Sequence, residues 1–143
     1  MATFAELLVT VRDQCVTSLT AAGRPAPTSV YIGEGEVAYD CCNALIVEPV
    51  QLIAYAPDDS CPTLLADIRV HLLRCAAPMH GDNVPLSADI QTVGLGLAAD
   101  AVALYQAATT LAACCTVRFG GITFPRSVGV ECAPVVMALT ATL

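Results

Sequence analysis

The amino-acid sequence predicts an α+β domain in which an N-terminal helix and one long helix pack on a mainly antiparallel β-sheet. Three observations predict it: a helix start signal followed by an apolar stripe near the N-terminus, one strongly alternating run at residues 64–75, and an alanine-rich helical pattern after Ser87. A length of 143 residues suits one domain with its own core, and no repeat or linker divides it. Residues 1–143 are therefore read as a single domain.

Thr3 followed three residues later by Glu6 has the spacing of a capping box, and Phe4, Leu7, Leu8, Val11, Cys15 and Leu19 follow on a helical period. Gly23 stops the pattern and Pro25 and Pro27 prevent its resumption, so the first helix is placed at about 3–22. Residues 29–40 are broken by Gly33 and Gly35 and read as two short strands or a hairpin. Residues 45–55 are rich in β-branched side chains and apolar on both faces; within that strand Pro49 requires a bulge or an edge.

After the turn residues Pro57, Asp58, Asp59 and Ser60, the run 64–75 sets Ala66, Ile68, Val70 and Leu72 on one face and Asp67, Arg69 and His71 on the other. That is the pattern of a half-buried antiparallel strand. A loop over 76–86 leads to Ser87, expected to cap the long helix with Asp89 near its positive end. Gly94 and Gly96 each cost about 1 kcal/mol relative to Ala, so its first turns are expected to be irregular. Residues 118–131 suggest a long hairpin or projecting loop, and 133–143 a final strand inserted in the sheet.

Apolar residues make up 56% of the chain and charged residues 13%, which excludes a disordered tail. There is no Lys, six Arg stand against thirteen Asp plus Glu, and a net charge of −7 argues against a groove that tracks a nucleic-acid backbone. The most apolar window, 93–115, is interrupted by Asp100, Gln106, Thr109 and Thr110 and reads as a buried helix rather than a membrane span. The N-terminal residues lack the basic start of a secretion signal, so folding in a reducing cytosol is expected.

Of the eight cysteines, none lies in a CxxC pair, and the adjacent pairs Cys41-Cys42 and Cys114-Cys115 are expected to point their thiols apart. Small core hydrophobes are the favoured reading, ahead of disulfides and then metal ligands. Residues 94–99 match the G-x-G-x-x-A form of the dinucleotide fingerprint. No strand pattern precedes them, and no acid lies between Asp100 and Glu131 to hold a ribose. His71, in its Asp67-Arg69-His71 alternation, reads as a solvated or interface histidine, and His80 falls in a loop with Asp82, so two dispersed histidines make a weak metal case. No nucleophile elbow, Walker loop or zinc-protease motif is present, so no catalytic residue, cofactor or metal is expected. A strongly apolar small domain of this kind is expected to bury surface against copies of itself.

The succession VAYDCCNALIVEPVQLIAY, SCPTLLADIRVHLLRCAAP, the alanine-rich helix ending LAACC, and VGVECAPVVMALTATL resembles neck proteins of long-tailed actinobacteriophages over about three-quarters of the chain, from Val37 onward. The order of predicted elements is similar to that of the gpU-like tail terminators. This resemblance implies a structural virion protein of the neck, a ring of six copies that caps the tail tube, ends its polymerisation and joins the tail to the head. Its partners would be itself, the tail-tube protein and a head-side stopper protein, with genomic DNA passing through the lumen without specific binding. Such a ring would carry about −42 formal charges, which repel rather than retain DNA.

A head–tail stopper or adaptor of the same neck is the alternative. A small-ligand-binding domain built on residues 94–99 is the third. Candidate contact residues lie where polar loops interrupt the apolar pattern: Glu34, Glu36, Asp58 and Asp59 as acidic tips, and Arg118, Phe119, Phe124 and Arg126 as cations beside aromatics.

Overall fold

The computed structural model describes residues 3–34, 43–56, 61, 63–80, 84–125 and 132–143. Its elements are α1 (Phe4–Ala21), β1 (Ser29–Ile32), β2 (Ala44–Tyr55), β3 (Thr63–Cys75), β4 (Met79–His80), β5 (Val84–Pro85), α2 (Ser87–Cys114), β6 (Val117–Thr123) and β7 (Cys132–Thr142). Five strands form one sheet in the order β1-β2-β3-β7-β6, and β4 and β5 form a separate small ribbon. Only β1, which runs parallel to β2, departs from antiparallel pairing, and the two helices pack on the sheet. The α+β class is thereby established.

Thr3 accepts a hydrogen bond from the Glu6 amide at 3.1 Å while the Glu6 carboxylate accepts from the Thr3 amide at 2.7 Å, completing the capping box. Gly23 closes the helix at φ +70°, a conformation that costs a residue without Cβ little. The stripe Leu7, Leu8, Val11, Cys15 and Leu19 is buried, as the period requires.

In β3, Ala66, Ile68, Val70 and Leu72 all enter the helix-side core, where Val135, Met137, Leu139 and Ala141 of β7 meet them. The final strand is thus inserted in the sheet, between β3 and β6. Both readings of Pro49 hold. The register shifts between Pro49 and Gln51, and among the described residues β1 covers β2 only from Ala44 to Val47, leaving the proline on an edge.

Some expectations are corrected. Ser87 is the first helical residue; the cap is Leu86, extended at φ −69° and ψ 142°, with no side-chain cap hydrogen bond. The helix runs unbroken from Ser87 to Cys114 through Gly94 and Gly96, because packing offsets their poor propensity. Of the two readings of residues 118–131, the hairpin is present: β6 pairs antiparallel with β7 through a bulge at Phe119/Gly121, where Gly121 adopts φ +140°, and residues 126–131 lie outside the described residues. Of the two short strands read at 29–40, β1 is present, and residues 35–40 lie outside the described residues.

Candidate functional site

The helices cover one face of the sheet and leave rows of side chains on the other. One row across the strands is Gln51, Asp67, Thr140 and Arg118; the next is Glu48, Arg69, Ala138 and Gly121; the third is Ile46, His71, Val136 and Thr123. His71 Nε2 lies 3.0 Å from Glu48 Oε1. Glu48, Arg69, His71 and Thr123 are the polar lining of an open hollow of about 520 Å³ bordered by Pro125 and Pro134. A second hollow, of about 460 Å³, is lined by Asp67, Arg118, Tyr55 and Thr140. Ala44, Ile46 and Leu73 on this same face are buried, with Tyr31 packed against them.

Four of the predicted contact residues are described. Glu34 is exposed just after β1, at the sheet edge opposite β6. Four strand spacings, roughly 19 Å, separate those edges, so Glu34 does not meet Arg118 within one chain. Arg118 and Phe119 are successive strand residues and point to opposite faces. Arg118 joins the open-face rows, and Phe119 turns to the helix side, where its ring meets Tyr105 edge-on with centroids 5.0 Å apart. Phe124 is exposed beyond β6. Glu36, Asp58, Asp59 and Arg126 lie outside the described residues.

Sequence reasoning missed an ion cluster in the core. Asp100 is wholly buried and receives Arg74 Nε on Oδ2 at 2.9 Å, Arg74 Nη2 on Oδ1 at 3.0 Å and Arg24 Nε on Oδ1 at 2.8 Å. Arg74 Nη1 also donates to Asn43 Oδ1, and Asn43, at φ +74°, donates through Nδ2 to the Ala26 carbonyl at 3.0 Å. Arg24 Nη2 reaches the Gly96 carbonyl at 3.3 Å, and a Cβ on Gly96 would lie 3.1 Å from that nitrogen. Gly96 therefore admits an arginine. Residues 94–99 lie inside α2, where helical bonding occupies their amides, so they form no phosphate-cradling turn. The available signal was Asp100 itself, the only charge between Ile90 and Val117.

Also missed were two exposed apolar surfaces. On α2, Leu95 is 64% exposed and Val102 58%, and Tyr105 and Phe119 extend the patch. The distal part of the β2–β3 hairpin exposes Val50, Leu52, Ile53, Tyr55 and Leu64. By length and composition α2 could cross a membrane, with a mean hydropathy of 1.3 in its most apolar window; about a third of that window is buried in this domain.

The thiols follow the core-hydrophobe expectation only in part. Cys15 and Cys132 are buried, whereas Cys61, Cys75 and Cys114 are exposed and Cys115 is half-buried. The sulfurs of Cys114 and Cys115 lie 3.1 Å apart rather than pointing away from each other, because Cys115 is the extended cap that ends α2. The hydrogen bond with Cys114, then partial burial and charge repulsion from the same neighbour, push the Cys115 thiol up. Burial alone pushes Cys15 up to about 12. Among the described residues, no group of three or more His, Cys, Asp or Glu is placed to hold a metal ion. No protein-family model matches the chain, and no curated protein matches it.

Proposed function

We propose that the chain is a ring-forming structural subunit of the neck of a long-tailed phage, a tail terminator that caps the tail tube, ends its polymerisation and joins the tail to the head. The observation that carries this reading is the pair of separate exposed apolar surfaces, one on α2 and β6 and one on the distal β2–β3 hairpin. A small monomer rarely keeps such patches in water. A closed ring needs two non-equivalent patches on every copy, and closure leaves no free end to grow.

The order helix, strands, long helix, strands agrees with the element order that the sequence resemblance implies. Virion location, a count of six and partners in the tail tube and the head-side neck protein belong to the same proposal. Genomic DNA would pass through the ring without specific binding.

Electron microscopy of the purified chain, alone and mixed with tail tubes, tests it. Rings alone and at tube ends are expected. A chain that stays monomeric and never joins tubes overturns the reading, and binding to the portal side instead of tubes identifies a stopper or adaptor.

A further inference from the structure

We infer that the α2–β6 face of one copy takes the distal β2–β3 hairpin of a second copy, in a head-to-tail contact. This deepens the ring reading and rests on it. The hairpin is built as an arm. From Val50 to Tyr55 every β2 residue is exposed, and among the described residues β3 alone pairs with it there. Register places Leu52 and Leu64 on the helix side of the sheet and Ile53 and Tyr55 on the other side, so both faces of the arm are apolar.

The receiving face is equally specific in chemistry. Leu95, Ala98, Val102 and Tyr105 recur at helical spacing along exposed α2, and Phe119 of β6 stands against Tyr105. Between Ile90 and Val117 the only charge is Asp100, which is turned inward onto Arg24 and Arg74. Residues 50–56 and 63–66 of the arm have no charge, and its acids, Asp58 and Asp59, come in the sequence between those two runs. A chain of net charge −7 repels its own copies wherever acids meet, so the arm of one copy is better received by the acid-free helix face of the next than by another acidic surface.

The areas agree with this pairing. The helix-face side chains Leu95, Val102, Tyr105 and Phe119 are 40–64% exposed, and either face of the arm adds one more apolar pair, Leu52 with Leu64 or Ile53 with Tyr55. Together they leave on the order of 600 Å² of apolar surface, close to the apolar share of an interface of about 1,200 Å², the small end of the specific class. Pairing α2 with α2 across a two-fold axis would cover one patch and leave the arm bare. Arm on helix face covers the helix patch and one face of the arm in one contact, and its repetition is the geometry from which rings close.

Two full-length variants test the pairing: a helix variant, Leu95→Glu with Val102→Glu, and an arm variant, Leu52→Glu with Ile53→Glu. All four positions are exposed, and circular dichroism and thermal melting check that both variants fold. In analytical ultracentrifugation each variant alone is expected to lose at least tenfold of the wild-type assembled fraction. Mixed in equal amounts they should form a one-to-one heterodimer and nothing larger, because one intact arm still meets one intact helix face.

The inference is overturned if either variant assembles as wild type does, or if the mixture stays monomeric. An arm variant that dimerises while the helix variant does not would assign the helix face to a two-fold pair instead. Wild-type chain that is itself monomeric overturns the ring reading and this inference together, whereas a wild-type ring that survives both sets of substitutions overturns the inference alone.

Discussion

Arg74 holds Asp100 by two parallel hydrogen bonds, Nε to Oδ2 at 2.9 Å and Nη2 to Oδ1 at 3.0 Å, and the carboxylate is fully removed from solvent. The pair ties the end of β3 to the middle of α2, and Arg24 adds the segment after α1. Removing one partner of a buried pair strands the other charge, which costs about 3–5 kcal/mol. Asp100→Ala is expected to lose that much in urea unfolding. Arg24, whose side chain is a quarter exposed, can turn to water, so Arg24→Ala should cost only about 1 kcal/mol. A double replacement, Arg74→Met with Asp100→Leu, should recover most of the loss of Asp100→Ala, since no charge is then left buried alone.

The two glycines of α2 are expected to respond differently. A Cβ at Gly94 meets nothing within 4 Å, so Gly94→Ala should gain the helix propensity difference of about 1 kcal/mol. At Gly96 the same Cβ lies 3.1 Å from Arg24 Nη2. Gly96→Ala must displace that guanidinium from the Gly96 carbonyl and from its place beside Asp100, which offsets the propensity gain. Thermal melting of the two single variants should therefore rank Gly94→Ala above Gly96→Ala.

Helix starts give a third contrast. Thr3 is a working cap with a reciprocal bond to Glu6, and Thr3→Ala should cost about 1 kcal/mol. Ser87 stands one position past the cap of α2, so Ser87→Ala should change stability by less than about 0.5 kcal/mol. Chemical denaturation of both variants under one set of conditions checks the difference.

The elements that were legible in the sequence are those whose burial repeats at one period. The α1 stripe from Leu7 to Leu19 and the β3 alternation from Ala66 to Leu72 each state their own geometry, and Pro49 announces its bulge by lacking an amide hydrogen. What was not legible depends on distance in space. Arg24, Arg74 and Asp100 are separated by 26 to 76 positions, and nothing local distinguishes an arginine that will be buried from one on the surface. Arg118 and Phe119 show the opposite case: they are adjacent in the chain but do not share one patch, because strand geometry sends neighbours to opposite faces. The uncharged faces of α2 and the hairpin looked like core, because composition does not say which side of an apolar element has a neighbour.

Burial of Cys15 against the helix-side core gives a final, pH-dependent prediction. Its thiol keeps a proton in the native chain up to about 12, while in the unfolded chain it ionises near the ordinary value of 9.0. The folded pKa is the higher one, so above the unfolded value the native state binds more protons, and stability falls as pH rises through this window. The slope approaches roughly 1 kcal/mol per pH unit between those two values, and below pH 9 this thiol contributes no pH dependence. Cys15→Ala should flatten that part of the curve in urea titrations at successive pH values, at the cost of a small cavity. In the wild-type chain at pH 8, a thiol-directed reagent should label exposed Cys61 and Cys114 rapidly and reach Cys15 only on unfolding, with mass mapping of the labelled peptides as the readout. Rapid labelling of Cys15 in the native chain would mean that α1 opens from the sheet far more often than its wholly buried stripe implies.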